Sequence, residues 1–337
     1  MADAPIRIAV VLAGAVAKGA FEAGALQALA SRNVQVVRIV GASSGALNGT
    51  MLAAAVRARD LTGGTTRLVE LWRDRGGWTD VFHASLRVLA TRQGVSDSER
   101  VLALLREQIT PIPTGEDIGL RLLVAPLGGV TGTIGTRPAT TYEAMIELTG
   151  ADFASAAALD RVFHAAIASS AFPLVFAPVE LPDLGPCVDG GAVNNTPVKW
   201  ALDGTVRDRI DAIVVISTGP EQRVGPPPES LHGLELASHL ANMLIGERLY
   251  RDLHEAEDVN ERLAKLEALV TEGVLDRAQL ERVLAAIVWD GWRRVRILQI
   301  RPLEELPGTA FSGFFDEALR ERYIAAGFER ANAVLDF

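Results

Sequence analysis

An α/β fold with a mostly parallel central sheet is what this 337-residue sequence predicts. Short β-branched runs bounded by turn residues read as buried strands. Longer stretches with apolar residues at helical spacing lie between them. The two kinds alternate along most of the chain, which is the order that parallel strands with covering helices produce.

Taken in order, strands are expected over 6–12, 36–40, 120–124, 213–217 and 295–300, and helices over 19–30, 44–57, 98–108, 155–168 and 316–334. The late basic cluster Arg293, Arg294, Arg296 and Arg301 alternates with Val295, Ile297 and Ile300, so it reads as a half-exposed strand rather than a binding patch. The stretch TGPEQRVGPPPE (218–229) can continue neither period and reads as a loop or flap. The expected organisation is a core over 1–218, a Gly/Pro-rich loop or flap over 219–229, and a helical block with a closing strand and helix over 230–337 that belongs to the same domain.

The charge balance of 33 basic against 42 acidic residues, −9 with neutral histidines, disfavours nucleic acid as a partner and disfavours simple polybasic docking to an anionic membrane. A single cysteine, Cys187, permits neither an intrachain disulfide nor a cysteine-built metal site and fits a reducing compartment. Arg7 precedes the apolar run Ile8 to Ala17, about the length of a secretory h-region, but Asp3 opposes that reading, and cleavage near Ala20 would remove a glycine loop. The longest apolar candidate for a membrane span, Ala165 to Leu181, is broken by Pro173 and Pro178. A soluble, cytoplasmic protein is expected.

Three turns carry candidate chemistry. Residues 41–45 read Gly-Ala-Ser-Ser-Gly between an expected strand and an expected helix. A serine on so sharp a turn projects its Oγ, and the positions two before and two after crowd each other until only glycine fits. The following helix also aims its N-terminal N–H groups toward a developing oxyanion. This makes Ser43 a candidate nucleophile framed by Gly41 and Gly45. The alternative is a small-residue turn that lets a helix pack tightly on a sheet.

Before it, residues 12–24 place Gly14, Lys18 and Gly19 in a small-residue loop between strand and helix, which suits a backbone anion cradle or a tight turn. Neither the dinucleotide fingerprint nor the phosphate P-loop fits the spacing. Downstream, CysValAspGlyGlyAlaValAsnAsnThrPro (187–197) sets Asp189 before Gly190 and Gly191, and Thr196–Pro197 read as a helix N-cap and first turn. A serine hydroxyl needs a proton acceptor within hydrogen-bond reach. None of His83, His164, His232, His239 and His254 sits on a Gly-flanked turn after a strand, whereas Asp189 does, and a Ser–Asp pair is expected.

The loop AlaGlyAlaValAlaLysGly (13–19), then GlyAlaSerSerGly (41–45), then AspGlyGly (189–191) resemble, in that order, the patatin-like phospholipase family. AlaSerSerAlaPheProLeuValPheAlaPro (168–178) is similar to the family's segment leading into the aspartate, and the final helix to that of bacterial members. The resemblance implies a three-layer α/β/α fold. It also implies hydrolysis of a lipid or fatty-acyl ester by a Ser43–Asp189 dyad without a metal or other cofactor, and peripheral contact with a membrane. Carried over by position, the backbone of Gly14, Ala15 and Val16 binds the oxyanion and Lys18 fills the family's Arg/Lys position. The family usually has three consecutive glycines where this chain has Gly14, Ala15 and Val16. If those positions need φ > 0, a β-branched Val16 is badly placed.

Two rival readings stay open. One is an inactive or impaired lipid- or partner-binding protein on the same fold. The other is an α/β-hydrolase esterase using Ser43, Asp189 and His232 or His239, although only one strand–helix unit precedes Ser43. An acyl channel under the flap would draw on Leu231, Leu234, Met243 and Leu244, residues that core packing could equally claim. Head group, acyl preference and oligomeric state are not encoded in any motif.

Overall fold

A computed structural model describes residues 4–83, 94, 96–202, 210–221, 234–286 and 294–337, with residues 234–242 and 244–246 described by backbone alone. The expected flap lies largely outside these residues.

The first strand, β1 (Ile6–Leu12), is a β-branched run buried on both faces, and it sits between two parallel neighbours, β2 (Val34–Gly41) and β9 (Ala212–Ile216). Outside β9 lies β10 (Arg296–Ile300), and outside β2 lies β3 (Gly119–Pro126), all parallel. β3 also takes antiparallel partners on its two edges: β6 (Ala144–Leu148) along Leu120–Val124 on the edge away from β2, and β8 (Gly185–Asp189) along Val124–Pro126 on the β2 edge, with β7 (Val179–Leu181) paired to β8. A small hairpin of β4 (Val130–Ile134) and β5 (Arg137–Thr141) stands apart from the main sheet.

The period-2 alternation of β1 sorts its side chains into two layers. Ile8, Val10 and Leu12 join the larger core with α1 (Gly19–Leu29), α2 (Ser44–Arg57), α3 (Leu61–Arg75), α5 (Glu99–Gln108), α6 (Ala156–Ser169) and α9 (Glu317–Val334). Ala9 and Val11 face the short 3₁₀ turn Val198–Ala201 and Leu249 and Leu253 of the long helix α7 (Leu234–Thr271). Helices thus cover both faces of a mixed, mostly parallel sheet. The short α4 (Trp78–Val81) links α3 toward α5, and α8 (Arg277–Ala286) packs on α7. Among the described residues no helix is long and apolar enough to cross a membrane.

One expectation needs correction. Pro197, not Thr196, is the N-cap of the turn at Val198–Ala201, no side chain caps it, and the buried Thr196 hydroxyl has no hydrogen-bond partner among the described residues. β2 and β8 do not pair with each other; both pair with β3 on the edge opposite β6, β2 in parallel through Arg38–Gly41 and β8 antiparallel through Cys187–Asp189. Register still aligns them. Gly41 pairs with Leu122 and Asp189 with Val124. Ser43, two residues past Gly41, therefore lies where the carboxyl ends of β2 and β8 approach each other along one edge of β3.

Candidate active site

Between the end of β2 at Gly41 and the start of α2 at Ser44, only two residues make the turn. Ser43 is held at φ 56°, ψ −130°, a region that residues with a Cβ avoid. Such strain costs about 1–3 kcal/mol and survives only where the surroundings over-determine it. The surroundings do so here: a Cβ on Gly41 would stand 2.5 Å from the Gly45 carbonyl oxygen, and one on Gly45 would stand 2.4 Å from that of Leu12. The Ser43 N–H donates to Ser169 O at 3.1 Å, and the Ser169 hydroxyl donates to Leu123 O at 2.5 Å, which ties the turn to α6 and β3.

Ser43 Oγ donates to Asp189 Oδ2 at 2.6 Å across 146 residues of sequence. The other carboxylate oxygen, Oδ1, accepts the Gly191 N–H at 2.7 Å, so the Gly190–Gly191 turn fixes the carboxylate's orientation. Both oxygens are engaged, and the serine is bonded to the carboxylate directly, with no imidazole between them. Asp189 is 2% exposed, and this burial pushes its pKa up to about 7, although the bonds from Ser43 and Gly191 pull it down. A carboxylate poised near neutrality, hydrogen-bonded to a hydroxyl, is chemically able to take that hydroxyl's proton.

The described histidines lie elsewhere. His83 pairs with Asp97 at 3.1 Å, His164 contacts Asp160 O, and His254 stacks on Tyr250. His232 lies outside the described residues and the side chain of His239 is not described. His83, Asp97 and Glu99 bring ligand-type atoms within 4.8 Å of one another beside the site, but the ring is already engaged as an ion pair or hydrogen bond with Asp97.

The glycine loop is arranged differently from the expectation. Gly14 has no positive φ; it is glycine because a Cβ would stand 2.1 Å from Asn195 Oδ1 and 2.7 Å from Ser43 Cβ. Its N–H donates to Asn195 O at 3.0 Å, and Ala15 N–H donates to Ser44 Oγ at 2.9 Å. Val16 does adopt φ 52°, the strained backbone foreseen for it, with its side chain packed on the cluster of Phe82, Phe176 and Phe314. Its N–H has no partner among the described residues. The Lys18 ammonium donates to Leu306 O at 3.0 Å; burial lowers its pKa while Glu305 raises it. Lys18 thus straps the loop to the segment before α9. Gly19 opens α1 against Trp72 and Ser44.

Ser43 opens onto an apolar cavity of about 110 Å³. Its walls come from α2 (Leu47, Met51), α3 (Leu68, Leu71, Trp72), α5 (Val101, Leu104, Leu105) and an aromatic group of Phe82, Phe172, Phe176, Phe311 and Phe314. Among the described residues, the block over 230–337 contributes Phe311 and Phe314 to this wall. Leu231 lies outside the described residues, the side chains of Leu234 and Leu244 are not described, and Met243 is 49% exposed.

Sequence reasoning missed several residues of this site. Asn195 clamps the glycine loop twice, accepting from Gly14 N–H and donating from Nδ2 to Gly14 O at 2.8 Å. Asn48 carries a buried relay: its Nδ2 donates to Glu22 Oε2 at 2.8 Å and its Oδ1 accepts from Trp72 Nε1 at 2.8 Å. Glu22 is fully buried, and burial holds its carboxyl well above the usual range, partly countered by Asn48. A glutamate and an asparagine inside otherwise apolar helical stretches were the available signal for this relay.

The family described as patatin-like phospholipase matches residues 10–202. No curated protein matches the sequence. Among solved structures the chain is similar to VipD from Legionella pneumophila, at 13% identity and a TM-score of 0.42, covering 99% of this chain and 67% of that one. It is also similar to the heterodimeric ExoU–SpcU complex from the type III secretion system of Pseudomonas aeruginosa. There the identity is 18% and the TM-score 0.31, and the similarity covers 84% of this chain and 59% of that one.

Proposed function

The chain belongs to the patatin-like phospholipase family, and from that premise we propose that it is a serine acyl hydrolase cleaving carboxylic ester bonds of lipids through a Ser43–Asp189 dyad. The observation that carries the reading is the 2.6 Å bond from Ser43 Oγ to a buried carboxylate whose pKa lies near neutrality. Ser43 Oγ attacks the ester carbonyl while Asp189 Oδ2 takes its proton. The tetrahedral intermediate collapses, Asp189 returns the proton to the departing alcohol, and a water activated by the same carboxylate releases the acyl group from Ser43. The apolar cavity beside Ser43 takes the acyl chain. The exposed aromatic residues near its mouth, Phe172, Trp78 and the Phe315 ring stacked on Trp78, suit peripheral contact with a lipid surface.

The oxyanion falls to the loop after β1. Val16 N–H is the free donor there among the described residues, while those of Gly14 and Ala15 are committed to Asn195 and Ser44. That commitment favours a second reading, a slow or impaired hydrolase that still holds lipid, because losing one donor costs on the order of 3 kcal/mol of transition-state stabilisation. A fluorophosphonate separates the two. The hydrolase takes up one label per chain, none in Ser43→Ala, and hydrolyses short-chain p-nitrophenyl esters; an unlabelled wild type would leave only the binder.

Since the base must be ionised to act, the rate is set by deprotonated Asp189. Its raised pKa puts the titration near neutrality. We expect kcat/KM to rise about tenfold per pH unit below pH ~7 and to level off above it. A pH-stat assay from pH 5 to 9 checks this, and a flat profile over that range would remove Asp189 from the role.

A further inference from the structure

The loop after β1 leaves one backbone donor for an oxyanion, and a side chain next to the nucleophile can add another. Of the N–H groups of Gly14, Ala15 and Val16, that of Gly14 donates to Asn195 O and that of Ala15 to Ser44 Oγ, which leaves Val16 among the described residues. Ser44 is the first residue of α2, 5% exposed, and lines the same cavity as Ser43 and Val16. Its hydroxyl accepts the Ala15 N–H, and among the described residues its own proton has no acceptor. A buried hydroxyl that accepts from an amide is polarised toward donation, and a free donor facing a reactive cavity is costly unless something there accepts from it. An oxyanion formed on the carbon bonded to Ser43 Oγ is such an acceptor.

We propose that the Ser44 hydroxyl, held by the Ala15 N–H, is a second oxyanion donor beside the Val16 N–H and therefore a catalytic residue. The proposal rests on Ser43 as nucleophile. In the step, the ester carbonyl π pair moves onto oxygen as the Ser43 Oγ–carbon bond forms. The new oxyanion accepts hydrogen bonds from Ser44 Oγ–H and Val16 N–H without proton transfer from either, and the pair returns to the carbonyl when the alcohol leaves. Ala15 acts through Ser44 as a positioning group.

The opposite arrangement is also chemically coherent. If Ser44 merely withholds the Ala15 N–H from the oxyanion, its hydroxyl is a brake, and the same substitution gives the opposite sign. In Ser44→Ala, a donor predicts a fall in kcat on the order of 10²-fold with KM nearly unchanged, whereas a brake predicts a rise. Ser44→Thr keeps the hydroxyl and should recover most of the rate, which a purely steric role would not produce. The measurement is kcat and KM on a soluble short-chain p-nitrophenyl ester for wild type, Ser44→Ala, Ser44→Thr and Ser43→Ala, with thermal unfolding of each.

A selective loss of kcat in the folded alanine variant, with recovery by threonine, supports the donor. An unchanged or raised kcat in Ser44→Ala overturns it, as does an equal loss in both Ser44 variants. If Ser44→Ala does not fold, a folded Ser44→Thr decides: near-wild-type kcat supports the donor and a large loss overturns it. If neither variant folds, Ser44 is structural and the proposal is overturned. Retained activity in Ser43→Ala would instead end the nucleophile assignment, which separates that failure from this one.

Discussion

Asp189→Asn is expected to cut hydrolysis by about 10³-fold or more and, at the same time, to make the protein more stable above neutral pH. The first effect follows from removing the base. Asparagine accepts the Gly191 N–H and can donate to Ser43 Oγ, so the geometry is kept while proton uptake is lost. The second follows from the sign of the pKa shift. Burial raises Asp189 from 3.8 to about 7 in the folded state. The folded chain therefore holds this proton more tightly than the unfolded one, and stability from the protonated group is full below about pH 4 and is lost as pH rises through 7. Above neutrality the ionised carboxylate costs on the order of 4 kcal/mol, and the uncharged amide removes that cost. Urea unfolding of wild type and variant at pH 8 and pH 4 checks it. The variant should gain at pH 8 and the two should nearly coincide at pH 4; a gap independent of pH would contradict the expectation. Such a gain in exchange for activity is what a functional site held under strain predicts.

The second large effect lies in the scaffold. Helices α1 and α9 meet backbone to backbone. A Cβ on Gly24 would stand 1.9 Å from Ile324 O, and one on Gly327 would stand 1.9 Å from Phe21 O. Gly327→Val forces the helices apart against main-chain atoms that no rotamer change can move aside. We expect a loss of at least about 3 kcal/mol, at the upper end of overpacking costs or beyond, and a fall in the midpoint of thermal unfolding of roughly 6 °C or more. Gly128, whose added Cβ meets nothing within 4 Å, supplies the control. Because α1 begins at the glycine loop, Gly327→Val should also lower ester hydrolysis even at temperatures where the chain remains folded.

Much of this arrangement is legible in the sequence because local chemistry and tertiary demand agree. Strand Ile6–Leu12 and helix Ser44–Arg57 fall where period and turn residues set them. Ser43 and Asp189 stand out because glycines beside a polar residue, between a strand and a helix, mark a turn sharp enough to present that side chain. What the sequence hides is set by partners distant along the chain. The short antiparallel strands β7 and β8 have too few residues to show a period, and β8 is a strand because it pairs with β3. The fates of the Gly14 and Ala15 N–H groups depend on Asn195 and Ser44, and no spacing rule announces which amide a side chain will claim. Lys18 has the spacing of a cation aimed at an anion, but its ammonium is taken by a carbonyl 288 residues away.

Strand β1 is flanked by β2 and, roughly 200 residues later in the chain, by β9. As the polypeptide leaves the ribosome at ~5–20 residues per second, one edge of its first apolar strand waits on the order of ten seconds or more for that partner. A topology with so much non-local pairing has a high contact order and folds slowly. For that interval the unpaired edge of β1 is open to pairing with another chain, a hazard that the finished sheet removes by covering the edge with β9.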